Sequence, residues 1–511
     1  VRPEALSGST GQAPSVVVDS HRQLLHEEDE RTILRQIYGM NSGYDWYWES
    51  FNGNARNFPI TMSHVVPDSA VDIRVGFWGW TSDTHSFEIA WNDSSLGTRG
   101  YAGSNANQIG VRARSGAFDG INILGLVHRS NSLTRLDWYE IEYLRYLDGS
   151  DGVLAFDWPS VTDGGPRIDA DTGAVTQFEM RGFAAKEGRP RVFVVSDELK
   201  EIVDFDYDEA AGSLVFQAGY DGEGRPPRYL AVQTPFMRRP SGLEVDTQQP
   251  LRDTTTGADD LIITHADFTD AAQRLADWRA ADRRFGEPIT TMVVDVQDIY
   301  DEFSGGLVDP MAIRSFVNHA YDHWAPRPAF VTLVGDGTYD YKNNSATSHP
   351  NWIPPYQDGE STYDEWYVRV EGEDRGPELA IGRLPVATAE EAEAVVDKII
   401  TYDRGEPIGP WQARVLLVAD DLVNPAESGA YESYFLIDAE RLARNMLPAG
   451  LDVTKLYIAD YPLEGRTKPR ARDEFIRLFN EGSLLLTYLG HGNPETLAHE
   501  QMFLLTRDLS S

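Results

Sequence analysis

The sequence predicts a mixed fold, in which all-β domains of a sandwich or jelly-roll-like type precede an α/β domain built on parallel sheets. Apolar and polar residues alternate in the first half, as at Phe87, Ile89 and Trp91, which is typical of half-buried strands. After Asp259 the pattern changes to short buried strands followed by helical repeats. The 511 residues, 41% of them hydrophobic, suffice for about three or four domains.

Two β-rich domains account for the first half. Short strands between clusters of Gly, Asn, Asp and Ser predict a sandwich of about eight strands over residues 45–150. Strands such as "RVFVVSD" and "RYLAVQT" predict a second β-rich domain over residues 151–240, followed by a polar linker over 241–258. Residues 1–44 are polar, and we expect them to form a loosely held arm.

Strands and helices alternate in the second half. The strands "DLIITH", "ITTMVVDV" and "AFVTLVGDG" are each followed by a helical or loop segment within residues 259–410. The strands "ARVLLVADD", "DVTKLYIAD" and "SLLLTYLGHG" continue the pattern within residues 411–511. This alternation predicts parallel sheets covered by helices and divided between two subdomains with these bounds.

Composition excludes several classes of partner. The chain has 45 Lys and Arg against 81 Asp and Glu, a net charge of -36, so this acidic protein would be repelled by nucleic acid and by anionic membranes. It has no apolar run of about 18 residues, so we expect no membrane-spanning segment, and it begins without the pattern of a signal peptide. It has no cysteine, which excludes disulfides and thiolate metal sites within these residues.

Three predicted strands end in a titratable residue beside small or acidic ones. They run into Gly335-Asp336-Gly337, Asp420-Asp421 and Gly490-His491-Gly492. In an open parallel sheet, functional residues gather outside the carboxyl ends of the strands. An isolated triplet of this kind is also compatible with a plain tight turn, but three at one edge favour a site in which carboxylates orient an imidazole.

These segments carry a family resemblance. "TLVGDGTYDYKNN", "YDEWYVRVEGEDRGPELAIGRLPVATAEEAEAVVDKIITYDR" and "LLLTYLGHGNPETLAHE", in this order, resemble the catalytic domain of the gingipain-type cysteine peptidases from about Asp259 onward. The resemblance implies a caspase-like fold in two subdomains, with His491 as the catalytic histidine. It implies a cysteine nucleophile on the next strand, beyond the residues given, so we expect subdomain 411–511 to be C-terminally incomplete. It also implies an acidic third member at Asp420 or Asp421.

The chemistry agrees with these roles. An imidazole can protonate a leaving amine and then activate water near neutral pH, while a carboxylate fixes its tautomer. The developing oxyanion needs backbone N–H donors, and Gly490 and Gly492 would let the chain present them without a side chain in the way. We therefore predict a secreted or cell-surface cysteine endopeptidase acting on protein or peptide substrates. Its oligomeric state and cleavage specificity stay open.

Two other functions stay open. One is a protease-sortase resembling that of the type IX secretion system, which has a gingipain-like domain behind large β-rich regions. The other is an inactive peptidase-like protein for adhesion or carbohydrate binding, with tryptophans of the sandwich as stacking platforms. The tryptophans considered are Trp78, Trp80, Trp91 and Trp138.

Several further residues receive ordinary structural roles. We interpret His265 as a structural histidine and His499 as a surface loop residue, and we expect Arg383 to pair with Asp364 or Asp374. No cofactor is expected. Structural calcium on the acidic segments 358–361 and 371–374 is the alternative to a solvated face, although neither segment has the ligand spacing of an EF-hand loop.

Overall fold

The structure is a computed structural model that describes thirteen stretches of the chain and forms two compact units, Val1–Val396 and Asp397–Ser511. The described residues are 3–33, 46–159, 175–196, 198–220, 225–240, 242, 250–283, 286–344, 350–358, 361–372, 376–405, 408–421 and 434–509. Eight of the eighteen residues of the predicted linker, 241 and 243–249, lie outside them. Its described end is anchored, because Leu251 and Ala258 are buried in an apolar core.

The first half of the chain consists of strands. They are β1 (Glu4–Ser7), β2 (Val16–Val18), β3 (Ser20–Glu28), β4 (Thr32–Ile33), β5 (Trp46–Tyr47), β6 (Glu49–Phe51), β7 (Ala55–Met62), β8 (Val71–Gly79), β9 (Thr84–Trp91), β10 (Ser94–Ala102), β11 (Ala106–Ala113), β12 (Gly120–His128), β13 (Thr134–Tyr146), β14 (Val153–Asp157), β15 (Thr176–Met180), β16 (Arg191–Val195), β17 (Leu199–Asp204), β18 (Asp206–Asp208), β19 (Ser213–Ala218) and β20 (Arg228–Val232).

Four sheets organise most of these strands into two layered pairs, and β4 and β5 form a separate two-stranded sheet. The orders β10-β9-β12-β7 and β11-β8-β13-β3 form the sheets of the first sandwich, with β6 also pairing with β13. Buried residues alternate along β9 as predicted, at Phe87, Ile89 and Trp91. The Phe87 ring stacks on that of Phe77 from the opposite sheet, with 4.3 Å between the ring centroids. The second pair has the orders β1-β17-β16-β20-β14 and β18-β19-β15-β2, and its core includes Phe156.

The expectation of a loosely held arm at residues 1–44 was wrong for its described part. Strand β1 pairs with β17, β2 with β15, and β3 with β13, so the N-terminal strands belong to both layered pairs. Val18 of β2 is buried in the core of the second pair. The polar side chains of this region predicted an arm. However, a strand that pairs at the edge of a sheet needs apolar side chains on one face only, so many of its residues can be polar.

The first unit continues with an α/β part. Its elements are β21 (Asp260–Thr264), α1 (Thr269–Ala281), β22 (Thr291–Asp295), α2 (Val296–Ser304), α3 (Pro310–His323), β23 (Phe330–Val334), β24 (Gln357–Asp358), β25 (Ser361–Thr362), β26 (Ala380–Leu384) and α4 (Ala389–Asp403), which crosses into the second unit. The sheet has the order β22-β21-β23-β26, all parallel. Asp309 caps α3 by accepting a hydrogen bond from Met311 N at 2.8 Å, next to Pro310.

The second unit is a smaller α/β layer. Its elements are β27 (Arg414–Ala419), α5 (Tyr434–Arg441), a π-helical turn (Leu442–Met446), β28 (Asp452–Tyr457), α6 (Pro469–Asn480), β29 (Leu485–Leu489), β30 (Gly492–Asn493), β31 (Thr496–Leu497), β32 (Phe503–Leu504) and α7 (Leu505–Asp508). The strands β28-β27-β29 form a parallel sheet. The predicted mixed fold, β domains followed by parallel α/β layers, is confirmed. No helix among the described residues is long and apolar enough to cross a bilayer.

Candidate active site

The candidate site lies at the carboxyl ends of two paired strands in the second unit. Strands β27 and β29 are parallel neighbours, with Ala419 opposite Leu489. The ladder continues past the strand end, since the N–H of Asp420 donates to the carbonyl of Leu489 at 2.8 Å. The residues that follow each strand, Asp420 and His491, are therefore held side by side.

The expectation that three strand ends share one edge was wrong. The strand that runs into Gly335-Asp336-Gly337 is β23, in the four-stranded sheet of the first unit, whereas β27 and β29 form part of another sheet. Alternating strands and helices indicate parallel pairing, but the pattern is the same whether the strands form one sheet or two.

Asp420 contacts His491 in two ways. Its Oδ2 accepts a hydrogen bond from the backbone N–H of His491 at 2.9 Å and lies 3.3 Å from the Nδ1 of the same residue. The Asp420 side chain is 3% exposed and that of His491 is 36% exposed. A carboxylate in this position favours the tautomer with hydrogen on Nδ1, which leaves Nε2 able to accept a proton.

Further contacts fix the His491 backbone and ring. The hydroxyl of Tyr488 donates to the His491 carbonyl at 2.7 Å, and the N–H of Ala498 donates to the same oxygen at 2.9 Å. The ring of Phe435 meets the imidazole edge-on, with centroids 5.2 Å apart. Burial and the neighbouring Asp420 charge raise the pKa of Tyr488, so this hydroxyl stays protonated and keeps donating.

Gly490 is required by close packing. A Cβ there would lie 2.5 Å from the Asp420 Cβ and would also collide with the Tyr488 hydroxyl. At Gly492 a Cβ would lie 3.1 Å from the Thr496 carbonyl, within the hairpin of β30 and β31. Both glycines thus have a packing role, and their suggested role as oxyanion donors stays a prediction.

Asp421 makes a different contact from its neighbour. Its Oδ2 lies 2.6 Å from the Lys468 Nζ, and the same ammonium donates to the Ile458 carbonyl at 2.9 Å. The side chains of Asp421 and Lys468 are 9% and 7% exposed. Of the two aspartates left open by the sequence, Asp420 faces the imidazole and Asp421 forms a buried ion pair.

Glu500 is a buried acid that no pattern in the sequence indicated. It is 1% exposed, and neither carboxylate oxygen has a hydrogen-bond partner among the described residues. Burial, and next the charge of Asp421, raise its pKa, while its own backbone N–H and Lys468 offset part of the rise.

Two sets of side chains around Asp420 have the spacing of metal ligands. One ligand atom from each of Asp420, Asp421 and Glu500 lies within 4.8 Å of the other two, and the same holds for Asp420, His491 and His499. His499 is exposed, as predicted for a surface loop residue, but its ring lies only 4.8 Å from that of His491. The acidic segments 358–361 and 371–374 lie partly outside the described residues.

The other sequence candidates have structural contacts. His265 Nδ1 accepts a hydrogen bond from the Asp267 N–H at 3.2 Å and so caps a short helical turn. Arg383 forms a bidentate pair with Asp364, at 2.8 and 2.7 Å, and also donates to the carbonyls of Gly335 and Ile353. Its other predicted partner, Asp374, lies outside the described residues.

The sandwich tryptophans do not share one exposed face. Trp91 is 1% exposed and belongs to the core, whereas Trp78 and Trp138 are half-buried. Trp80 is 39% exposed, and the Arg135 guanidinium lies over its ring at 5.3 Å. The stacking-platform hypothesis therefore loses at least Trp91.

Comparison with known proteins gives a family. The family model described as peptidase family C25 matches residues 253–511. The solved structure of dimeric latent PorU from Porphyromonas gingivalis is similar with a TM-score of 0.61 at 17% identity, over 78% of this chain and 39% of that one. The chain thus spans about two fifths of that structure.

The Arg-specific cysteine proteinase gingipain R is similar at 21% identity with a TM-score of 0.37, over 49% of this chain and 50% of its own. A search among curated protein sequences found no match. Because the family model covers just over half of the chain, including both strands that carry Asp420 and His491, the protein belongs to peptidase family C25, the gingipain-type cysteine peptidases with a caspase-like fold.

Proposed function

We propose that the protein is a cysteine endopeptidase in which His491 is the general acid and base and Asp420 orients its ring. The observation that carries the proposal is the placement of the Asp420 carboxylate on Nδ1 of a half-exposed His491, at the carboxyl ends of two parallel strands. Asp421 is given no catalytic role in this proposal, because its Oδ2 contacts Lys468.

The mechanism follows from Nε2, the imidazole nitrogen that does not face Asp420. A thiolate attacks the peptide carbonyl, and Nε2 of His491 gives its proton to the leaving amine. The histidine then takes a proton from the water that hydrolyses the thioester. Backbone N–H groups near Gly490 and Gly492 are the proposed donors to the oxyanion, which would need no side-chain movement.

We place the nucleophile on a strand beside β29, outside the 511 residues, since these contain no cysteine. In the order β28-β27-β29, strand β29 has a partner on one side only among the described strands. Leu484 and Leu485, at its start, are 43% and 48% exposed. Another parallel strand there would cover them and bring its own terminal residue about 4.8 Å from the end of β29.

The test is to express the product of the whole gene, including any codons that follow residue 511, and to measure peptidase activity. We expect thiol alkylation to abolish activity, and His491→Ala to lower kcat/KM by about 10²–10⁴-fold. The matched control is His265→Ala, which removes a histidine from a strand end in the other sheet and should leave activity near the wild-type value. A whole product that lacks cysteine, or that is unaffected by His491→Ala, would overturn the proposal.

A protease-sortase is the second candidate. The likeness in fold to latent PorU extends over 78% of this chain, beyond residues 253–511, and so includes β-rich parts. A sortase passes its acyl-enzyme to an amine rather than to water. Mass spectrometry of products formed with an excess of a small amine separates the two: a substantial transpeptidation product supports the sortase, and hydrolysis alone supports the endopeptidase.

A further inference from the structure

Next to the Asp420–His491 pair lies a cluster of buried carboxylates with more acidic than basic partners. The three residues of this acidic cluster, Asp420, Asp421 and Glu500, are 2%, 8% and 1% exposed. Among the described residues, the cation that contacts the cluster is the ammonium of Lys468, which is paired with Asp421. Buried carboxylates are costly unless they are paired or bound to a metal, so the cluster has room for a further cation.

Glu500 is the independent sign that a ligand belongs there. Both of its carboxylate oxygens are buried without a hydrogen-bond partner among the described residues, although one lies within 4.8 Å of an oxygen of each aspartate. Buried polar atoms nearly always have a partner, and an orphaned one needs an explanation. A carboxylate aimed at two others is explained by a cation held between them.

The geometry points to a calcium site formed by Asp420, Asp421 and Glu500, which we propose as a second, non-catalytic function of this strand end. Ca²⁺ prefers oxygen ligands at about 2.3–2.6 Å, so any two of its ligands lie within about 5 Å of each other. The three carboxylates meet this limit at 4.8 Å or less. The absence of nitrogen or sulfur donors from this set favours a hard cation over zinc or copper.

Lys468 is compatible with such an ion. A carboxylate has two oxygens and about four lone-pair sites, so Asp421 can contact the ammonium through Oδ2, at 2.6 Å, and calcium at the same time. Asp420 likewise uses Oδ2 for His491, while its Oδ1 accepts from the N–H of Asp421 at 2.9 Å. A bound ion would thereby stiffen the carboxylate that orients His491, without itself touching a substrate.

The test uses the 511-residue chain, stripped with EDTA and titrated with CaCl₂ by calorimetry. Moderate salt suppresses diffuse binding to the acidic surface. The variant is Glu500→Gln, which keeps the size of the side chain, and the matched control is Glu495→Gln, an exposed acid on the same segment. We expect wild type and Glu495→Gln to bind one more Ca²⁺ than Glu500→Gln, or to bind it at least about tenfold more tightly.

A second measurement does not depend on a variant that folds. Tb³⁺ replaces Ca²⁺ at oxygen sites, and the Tyr488 hydroxyl lies 3.5 Å from Asp420 Oδ2, close enough to sensitise terbium luminescence. We expect sensitised emission from the wild type that CaCl₂ displaces. Equal calcium binding by wild type and Glu500→Gln, or no displaceable emission from the wild type, would overturn the site. Neither readout uses peptidase activity, so the result is independent of the proposed function.

Discussion

Lys468→Met tests whether the buried ion pair supports the strand end that carries Asp420. The variant keeps an unbranched side chain of similar length but removes the ammonium, and with it hydrogen bonds of 2.6 Å to Asp421 and 2.9 Å to the Ile458 carbonyl. Asp421 is then a buried charge whose oxygen lies within 4.8 Å of one from Glu500. Two like charges at that distance repel by about 3 kcal/mol at an effective dielectric constant of about 20.

Breaking a buried pair by removing one partner costs about 3–5 kcal/mol in other proteins, which agrees with this value. A loss of about 3 kcal/mol corresponds to a roughly hundredfold shift in a local opening equilibrium. Hydrogen exchange of the amides of β27 and β29 measures that equilibrium within the second unit alone, in EDTA so that no metal contributes. We expect these amides to exchange about 100 times faster in Lys468→Met than in wild type.

Two companion variants make the result decisive. Lys455→Met removes a lysine from β28 whose partner, Glu440, lies 2.6 Å away in a partly exposed pair, and such pairs contribute only about 0–1 kcal/mol. Lys468→Met combined with Asp421→Asn removes both buried charges and should recover most of the lost protection. If Lys468→Met exchanges no faster than Lys455→Met, or if the double variant is worse than the single one, the ion pair does not support this strand end.

Two further predictions concern packing and pH. Gly490→Ala should displace the backbone beside Asp420 and lower the stability of this strand end by about 1–3 kcal/mol, which hydrogen exchange would detect as faster exchange of the His491 amide. The control is Gly450→Ala, where a Cβ meets nothing within 4 Å, and it should change the exchange rate little. Burial raises the pKa of Asp260 to about 6 from an ordinary value of 3.8, so its contribution to stability is present below pH 3.8 and is lost as pH rises through 6. Asp260→Asn should therefore stabilise β21 by up to about 3 kcal/mol at pH 8 and by nothing at pH 3. Hydrogen exchange or urea unfolding at the two pH values measures this difference, and an equal effect at both pH values would contradict the prediction.

The sequence was informative wherever the signal is local. Alternation at Phe87, Ile89 and Trp91 predicted a buried sheet face, and the end of an apolar run at Gly490 predicted where His491 stands. Arg383 was expected to pair with Asp364 or Asp374, and it pairs with Asp364. These results depend on neighbours in the chain or on one strand end, where period and burial are set by the residues themselves.

The rest depends on contacts that no local pattern encodes. Lys468 is 47 positions from Asp421, and Glu500 follows a residue, His499, that looked like part of an ordinary loop. The sequence left Asp420 and Asp421 as equivalent candidates. Consecutive residues at a strand end point in different directions, and in the described contacts Asp420 faces His491 while Asp421 faces Lys468. Tertiary pairing also decided the N-terminal region, where polar side chains concealed strands that join two sheet pairs.

The described contacts that define the candidate site come from the second unit. The hydrogen bonds to His491 come from Asp420, Tyr488 and Ala498, and the buried pair next to Asp420 comes from Asp421 and Lys468. The packing of β27, β29 and the segment after them therefore holds the Asp420 carboxylate against the imidazole. The strand end at residues 335–337 belongs to a different sheet, in the first unit, where Arg383 donates to the Gly335 carbonyl.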